Sequence, residues 1–256
     1  MQNRLTVLTT TNFVPSCPST ALLEGVIESF NRKFGVEEYD HFIFYDRPRQ
    51  ESLDDQRYLD NLRRLDERFP SKIEIFSERF VGLRGGWLRL FEEIRTPYAL
   101  FLEHDWHFTD APVPPLAALL DAFDRHPFLN YLRFNKMNGT TLQWEHWDRR
   151  HELEERVPEL ELTRVWSWSN NPHLCRTRMI IDKCVPIVSS RPFIGALDPA
   201  WQGWPCGVEG LIRDAIDRDV QQHGFAEAHR EWGTYFVGAP NSANTVHHVC
   251  GRSFLG

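Results

Sequence analysis

Two hydrophobic patterns alternate along the first hundred residues. Short apolar runs at 4–9 (RLTVLT), 41–45 (HFIFY), 72–76 and 98–102 (YALFL) read as buried strands. Between them the spacing is helical. Ser19 is a plausible N-cap for a helix with Leu22, Leu23, Val26, Ile27 and Phe30 on one face. Residues 53–69 place Tyr58, Leu62, Leu65 and Phe69 at spacings of four, three and four, and a further helix spans about 86–95. Strands alternating with helices predict a mostly parallel central sheet flanked by helices, an α/β architecture. In such sheets chemistry gathers at the carboxyl ends of the strands. That rule selects Thr9, Thr10 and Thr11, then Asp46, then Glu103-His104-Asp105.

The second half is less regular. Pro112, Pro114 and Pro115 lead into a helix at 116–125, and 129–134 reads as a strand. Residues 143–161 are polar, Trp-containing and heavily charged, which predicts a mobile or partner-facing insert. The segment 173–176, a short helix near 177–184 and an amphipathic helix from 207 to about 222 follow, and 235–255 reads as short strand and loop. No repeat or flexible linker divides the chain, so one domain over 1–256 is expected.

Composition narrows the function. The balance of 29 basic and 36 acidic residues gives a net charge of −7, which argues against a nucleic-acid backbone as the main partner. No apolar run approaches the roughly 18 residues that cross a bilayer. The first residues lack the features of a secretory signal, and the five cysteines are scattered without a CxxC pair. A cytoplasmic protein without a disulfide framework or zinc-cysteine site is expected.

The densest chemistry lies where the 98–102 strand runs into Glu103-His104-Asp105-Trp106-His107. Carboxylates at i and i+2 on extended chain point to the same side, so Glu103 and Asp105 can serve one shell of hard oxygen ligands, suited to Mg²⁺ or Mn²⁺. An ordinary acidic strand end is the alternative. Upstream, Gly85-Gly86 opens a helix and would allow close backbone approach to a ligand, with Arg84 and Arg89 facing anionic groups; a turn with solvated arginines explains the same residues. Glu209 sits in the first turn of the 207–222 helix, as a base or as a helix-start charge. His247-His248 would offer one ligand, since adjacent side chains on extended chain diverge; His247 is favoured. Trp204 and the polar loop around Asn171 are candidates for acceptor contact.

Taken in order, these pieces resemble the GT-A-fold nucleotide-sugar glycosyltransferases, especially the inverting family 2 type. Residues 82–106 look like that family's glycine-containing, arginine-rich helix followed by a strand ending in a D-x-D metal motif, here Glu103-His104-Asp105. Thr9-Thr10-Thr11 resembles its first nucleotide-contacting loop, and Asp46 its base- or ribose-contacting acid. Residues 204–212 (WPCGVEGLI) resemble its G-x-E-D acceptor motif, and the C-terminal histidines its late metal ligand. Glu103 replaces the usual first Asp, and Gly210 the second acid after Glu209.

The resemblance implies a single GT-A domain with a nucleotide-sugar-binding half, 1–108, and an acceptor-binding half, 109–256. It implies donor contacts from Thr9, Thr10, Thr11, Asp46, Arg84, Arg89, Glu103 and His104, with Mn²⁺ or Mg²⁺ at Asp105 and His247. Glu209 would act as base, with Trp204 and Asn171 on the acceptor side. The expected partners are a nucleotide-diphosphate sugar and a glycan or lipid-linked acceptor, with transient membrane association allowed and polysaccharide assembly as the context. A metal-dependent phosphohydrolase and a non-catalytic carbohydrate-binding protein are the alternatives.

Overall fold

A computed structural model describes residues 3–15, 17–136, 157, 159–165, 168–190, 207–239 and 242–249. The N-terminal elements run β1 (Leu5–Asn12), α1 (Ala21–Phe34), β2 (Asp40–Arg47), α2 (Leu53–Leu62), β3 (Lys72–Arg79), α3 (Gly82–Glu93) and β4 (Tyr98–Phe101). Then come β5 (Trp106–Phe108), α4 (Leu116–Arg125), β6 (Tyr131–Arg133), β7 (Leu162–Arg164) and β8 (His173–Arg176). α5 (Thr177–Met179), a π-helical turn (Ile180–Cys184) and α6 (Val185–Ser189) form one stretch, and α7 (Val208–His223), α8 (Phe225–Trp232), β9 (Thr234–Val237) and β10 (Val246–His248) complete the order.

Eight strands form one sheet in the order β3-β2-β1-β4-β8-β6-β9-β7, and β5 pairs separately with β10. β1, β2, β3 and β4 are mutually parallel, β6 and β9 share their direction, and β8 and β7 run against them. The mostly parallel α/β sheet expected from the alternation is therefore present, and it continues through both halves of the chain.

Helices cover both faces. Val26 and Phe30 of α1 pack with Leu5, Val7 and the α4 residues Leu119 and Phe123, while Leu23 and Ile27 meet Ile43, Tyr45 and the α2 residues Tyr58 and Leu62. On the opposite face Leu8 and Phe44 pack with Trp87 and Leu90 of α3 and Leu211 and Ile212 of α7. Burial on both faces is why β1 and β4 read as continuous apolar runs rather than as alternation.

Some boundaries differ from the sequence reading. The 53–69 helix stops at Leu62 and resumes as a 3₁₀ turn, Leu65–Glu67, which still buries Leu65 and Phe69. α3 starts at Gly82, one turn earlier than expected, because a side chain from β2 caps its first amides. β5, β7 and α8 were not anticipated. The 143–161 insert lies outside the described residues over 143–156.

Gly86 shows what the glycine pair does. A Cβ there would stand 2.5 Å from the buried Phe44 ring, and one at Gly85 would stand 2.6 Å from Val81 Cβ. The pair lets α3 approach β2 and its own preceding turn, which replaces the expected role of backbone approach to a ligand. Gly86→Ala should destabilise the protein despite alanine's higher helix propensity, because overpacking costs about 1–3 kcal/mol against ~1 kcal/mol of propensity gained. Chemical denaturation checks this; an unchanged or raised midpoint would show that Phe44 yields freely.

His173 on β8 is fully buried, 4.7 Å from the Tyr131 ring and 5.1 Å from the Trp168 ring, with Nδ1 2.8 Å from Asn171 O. Burial lowers its pKa from the ordinary 6.5 to about 4. The unfolded chain thus takes up a proton near pH 6.5 that the native ring refuses until about pH 4. Its contribution to stability is present above 6.5 and lost as pH falls. The stability difference between pH 7 and pH 5 should shrink by about 2 kcal/mol in His173→Phe. Denaturant titrations at both pH values measure it, and an unchanged difference would contradict a buried neutral His173.

Candidate active site

The strand order reverses at β1: β2 and β3 lie on one side and β4 on the other. A crevice opens at the carboxyl ends of strands at such a switch point. The pairing of β1 with β4 continues past the strand end, as Leu102 N–H donates to Leu8 O (2.8 Å) and His104 N–H to Thr10 O (3.2 Å). This extension carries Glu103 and Asp105 to the rim of a cavity of about 500 Å³. Its apolar wall includes Phe13, Phe44, Phe80 and Leu83, and its polar end Glu103 and Asp105.

Neither acid is fully paired. Glu103 Oε1 and Asp105 Oδ1 are buried without a hydrogen-bond partner. Burial, then the charges of Asp105 and Glu209, push the Glu103 carboxyl up to about 8, against opposing effects of Trp106 and Lys136. Asp105 Oδ2 accepts from His248 Nε2 at 3.0 Å. The β5–β10 ribbon makes that contact: His248 sits opposite Trp106 and His247 opposite His107, and Val249 N–H donates to Asp105 O at 2.8 Å. Adjacent residues diverge as expected, and His248 rather than His247 reaches Asp105.

Glu209 belongs to the same neighbourhood, close enough to raise the Glu103 pKa. It projects from the first turn of α7, where Oε2 accepts a long 3.4 Å hydrogen bond from Asn170 N–H. Burial raises its pKa, while that bond and the charges of Arg213, Arg133 and Lys136 act the other way. Lys136 also stands over the Trp106 ring (4.8 Å), which lies against the His248 ring (4.7 Å). Lys136 is a contact that local sequence patterns did not single out.

Several expected donor contacts have other partners. Thr9 is buried, its hydroxyl 2.9 Å from His41 Nε2; Thr10 and Thr11 both line the cavity, the Thr11 hydroxyl also meeting Tyr58 Oη at 2.7 Å. Asp46 also lines the cavity, but its two oxygens accept the Val81 and Gly82 amides at 2.9 and 3.1 Å, so it caps α3. His104 is buried beside Thr10 O with Nε2 unpartnered, and burial lowers its pKa. Arg84, in the first turn of α3, and Arg89 are not among the cavity's lining residues. Arg89 forms ion pairs with Glu92 (3.0 Å) and Glu93 (2.6 Å).

On the acceptor side, Asn171 lies in the loop before β8, its N–H 3.3 Å from Ser169 Oγ and next to the residue that holds Glu209. Trp168 is fully buried against Tyr131 (4.2 Å), a packing role. Trp204 lies outside the described residues.

Among the described residues, no group of three or more His, Cys, Asp or Glu is arranged to hold a metal ion. The two unpartnered buried oxygens, one on Glu103 and one on Asp105, are the hard donors that a divalent cation takes. Among the same residues, no helix is long and apolar enough to cross a membrane.

No protein-family model matches the sequence, and no curated protein sequence matches it. Solved structures are similar in fold. GalNAc-T7 with UDP, GalNAc and Mn²⁺ is 12% identical, with a TM-score of 0.51 over 96% of this chain and 43% of its own. Mouse xyloside xylosyltransferase 1 in its apo form is 11% identical over 99% of this chain and all of its own, with a TM-score of 0.49. S. aureus TarS 1–349 in complex with UDP-GlcNAc is 14% identical over 70% of this chain, with a TM-score of 0.44. The chain spans 47% of that TarS fragment's length. The likeness to GalNAc-T7, together with the eight-stranded sheet and its switch point, establishes the α/β fold of GT-A glycosyltransferases.

Proposed function

We propose that this protein is a glycosyltransferase that moves a sugar from a nucleotide-diphosphate donor to a hydroxyl of a glycan or lipid-linked acceptor, with inversion. The observation that carries the reading is the pair Glu103 and Asp105, each with a buried unpartnered oxygen, at the switch point on a cavity walled by aromatic and aliphatic side chains. Glu209, from the second half of the chain, would approach them from the acceptor side. The UDP bound in the GalNAc-T7 structure of similar fold agrees with a nucleotide donor.

The nucleotide would lie along the carboxyl ends of β1 and β2, in the 1–108 half, with its base against the apolar wall. Thr10 and His104 line that path, and Asp46 retains lone pairs for ribose hydroxyls beyond its two cap bonds. Glu103 and Asp105, with His248 on Asp105, would hold Mn²⁺ or Mg²⁺, which offsets the charge of the departing nucleotide. Their unpartnered oxygens would otherwise repel a diphosphate.

Glu209 would take the proton of the acceptor hydroxyl as that oxygen attacks the anomeric carbon from the face opposite the nucleotide. Asn170 N–H orients one carboxylate oxygen, and burial raises the pKa toward that of a competent base. The acceptor would enter from the 109–256 half, past Asn171. Without a membrane-spanning helix among the described residues, a lipid-linked acceptor would be met by transient docking.

Two substitutions test the roles separately. Glu209→Gln keeps size and removes the basic oxygen, so transfer should fall by roughly 10²- to 10⁴-fold while nucleoside diphosphate affinity stays at the wild-type value. Asp105→Asn should instead abolish Mn²⁺-dependent binding of the nucleoside diphosphate. Transfer rates and calorimetry over a panel of nucleotide sugars measure both. Near-normal transfer by Glu209→Gln would remove it as the base, and hydrolysis of simple phosphate esters without sugar transfer would replace the reading with a phosphohydrolase.

A further inference from the structure

Phe80, between β3 and α3, is the one non-glycine among the described residues with a positive φ, 54°. That conformation is unfavourable for a bulky side chain and persists only where the surroundings impose it. Here they do. Phe80 N–H donates to Arg47 O at 2.9 Å, and the next two amides are held by the Asp46 carboxylate. The strain does not serve burial, because Phe80 is 41% exposed, one of three large hydrophobic residues so placed among the described residues. The ring lines the cavity, and the Arg49 guanidinium, which does not line it, stands 4.1 Å from the ring centroid.

We propose that Phe80, backed by Arg49, is a stacking platform for the planar base of the donor; this rests on the nucleotide-sugar reading of the same cavity. Position distinguishes a base from the other parts of such a ligand. Phe80 follows β3 and Glu103 follows β4, three strand spacings away across the sheet, about 14 Å between strand axes. The acids at the β4 end suit the cation-bound diphosphate. The flat apolar ring at the β3 end suits a heteroaromatic ring, whose face gains from stacking on phenyl. An arginine behind the phenyl adds a cation–π contact that fixes the ring's orientation.

The test is calorimetry in Mn²⁺ with UDP, GDP, ADP and CDP, and with inorganic pyrophosphate as a probe that lacks a base. Phe80→Gly should weaken binding of the preferred nucleoside diphosphate about ten-fold or more, the scale of one base–aromatic stack. It should leave pyrophosphate affinity unchanged and hold or raise Tm, since glycine accepts the positive φ. Phe80→Tyr, which keeps the ring, should bind like wild type. If Phe80→Gly binds nucleoside diphosphates as wild type does, or loses pyrophosphate equally, or if Phe80→Tyr loses as much as glycine, the platform is overturned and the transferase reading stands. If wild type binds no nucleoside diphosphate, both fall together.

Discussion

Leu102 N–H to Leu8 O and His104 N–H to Thr10 O are two backbone hydrogen bonds beyond the regular end of β4, and the position of the site depends on them. They extend the parallel pairing with β1 and hold Glu103-His104-Asp105 rigidly at the switch point rather than leaving it as a free loop. Glu103 and Asp105 then face the same cavity, as the two-residue repeat of extended chain requires. The arrangement opposes itself electrostatically. Burial, Asp105 and Glu209 all work against ionised Glu103, and only the Trp106 and Lys136 interactions relieve it. Carboxylates buried in this way at the ends of central strands, each with an unpartnered oxygen, cost local stability, a compromise common at sites of function.

The second constraint is long-range. β10 reaches Asp105 only because it pairs with β5, a three-residue strand with almost no signature of its own. The ribbon turns His248 toward Asp105 and sets its ring, tilted, against Trp106, while Lys136, just after β6, stands over the same Trp106 ring. One chain end, one strand end and one loop from the second half therefore close around the acids of the first half. Glu209 joins from α7 through the Asn170 amide, which is fixed by the loop entering β8.

How much of this was legible follows from the range of each interaction. β4 could be read because burial on both faces writes itself into consecutive apolar residues, and α4 because its apolar positions recur at helical spacing; β3, half-buried at the end of the sheet, shows only the short apolar stretch Ile73–Phe76 around Glu74. The acidic segment could be read because a strand end before i, i+2 carboxylates is a local pattern. Choosing between His247 and His248 required the β5–β10 register, which no local pattern encodes. Thr9 is alike in sequence to Thr10 and Thr11, which both line the cavity, yet its hydroxyl is taken by His41, 32 residues away. β5 and α8 escaped notice because three residues, or eight with four charged or histidine side chains, carry too little periodicity. Gly85-Gly86 was visible as a feature, but only the facing Phe44 and Val81 side chains reveal that it serves packing.

Asp46 shows how one residue can belong to scaffold and site together. Its carboxylate replaces the anion that an α3 N-terminus would otherwise attract, so the helix dipole is satisfied from within the sheet and is not the source of phosphate binding. Burial raises its pKa while the two amides pull it down, so the same bonds that cap the helix favour its charged form. Those bonds also fix the Phe80-Val81-Gly82 turn in which Phe80 is held at positive φ. The cap is therefore what lets a strained aromatic ring remain at the cavity mouth: without it the turn could relax, the ring could swing into water or into the core, and the apolar wall would lose its outer edge. Cavity shape at the β2–β3 side is thus set by a hydrogen-bonding demand of the helix, whereas at the β4 side it is set by the sheet, and the crevice lies between these two rigid supports.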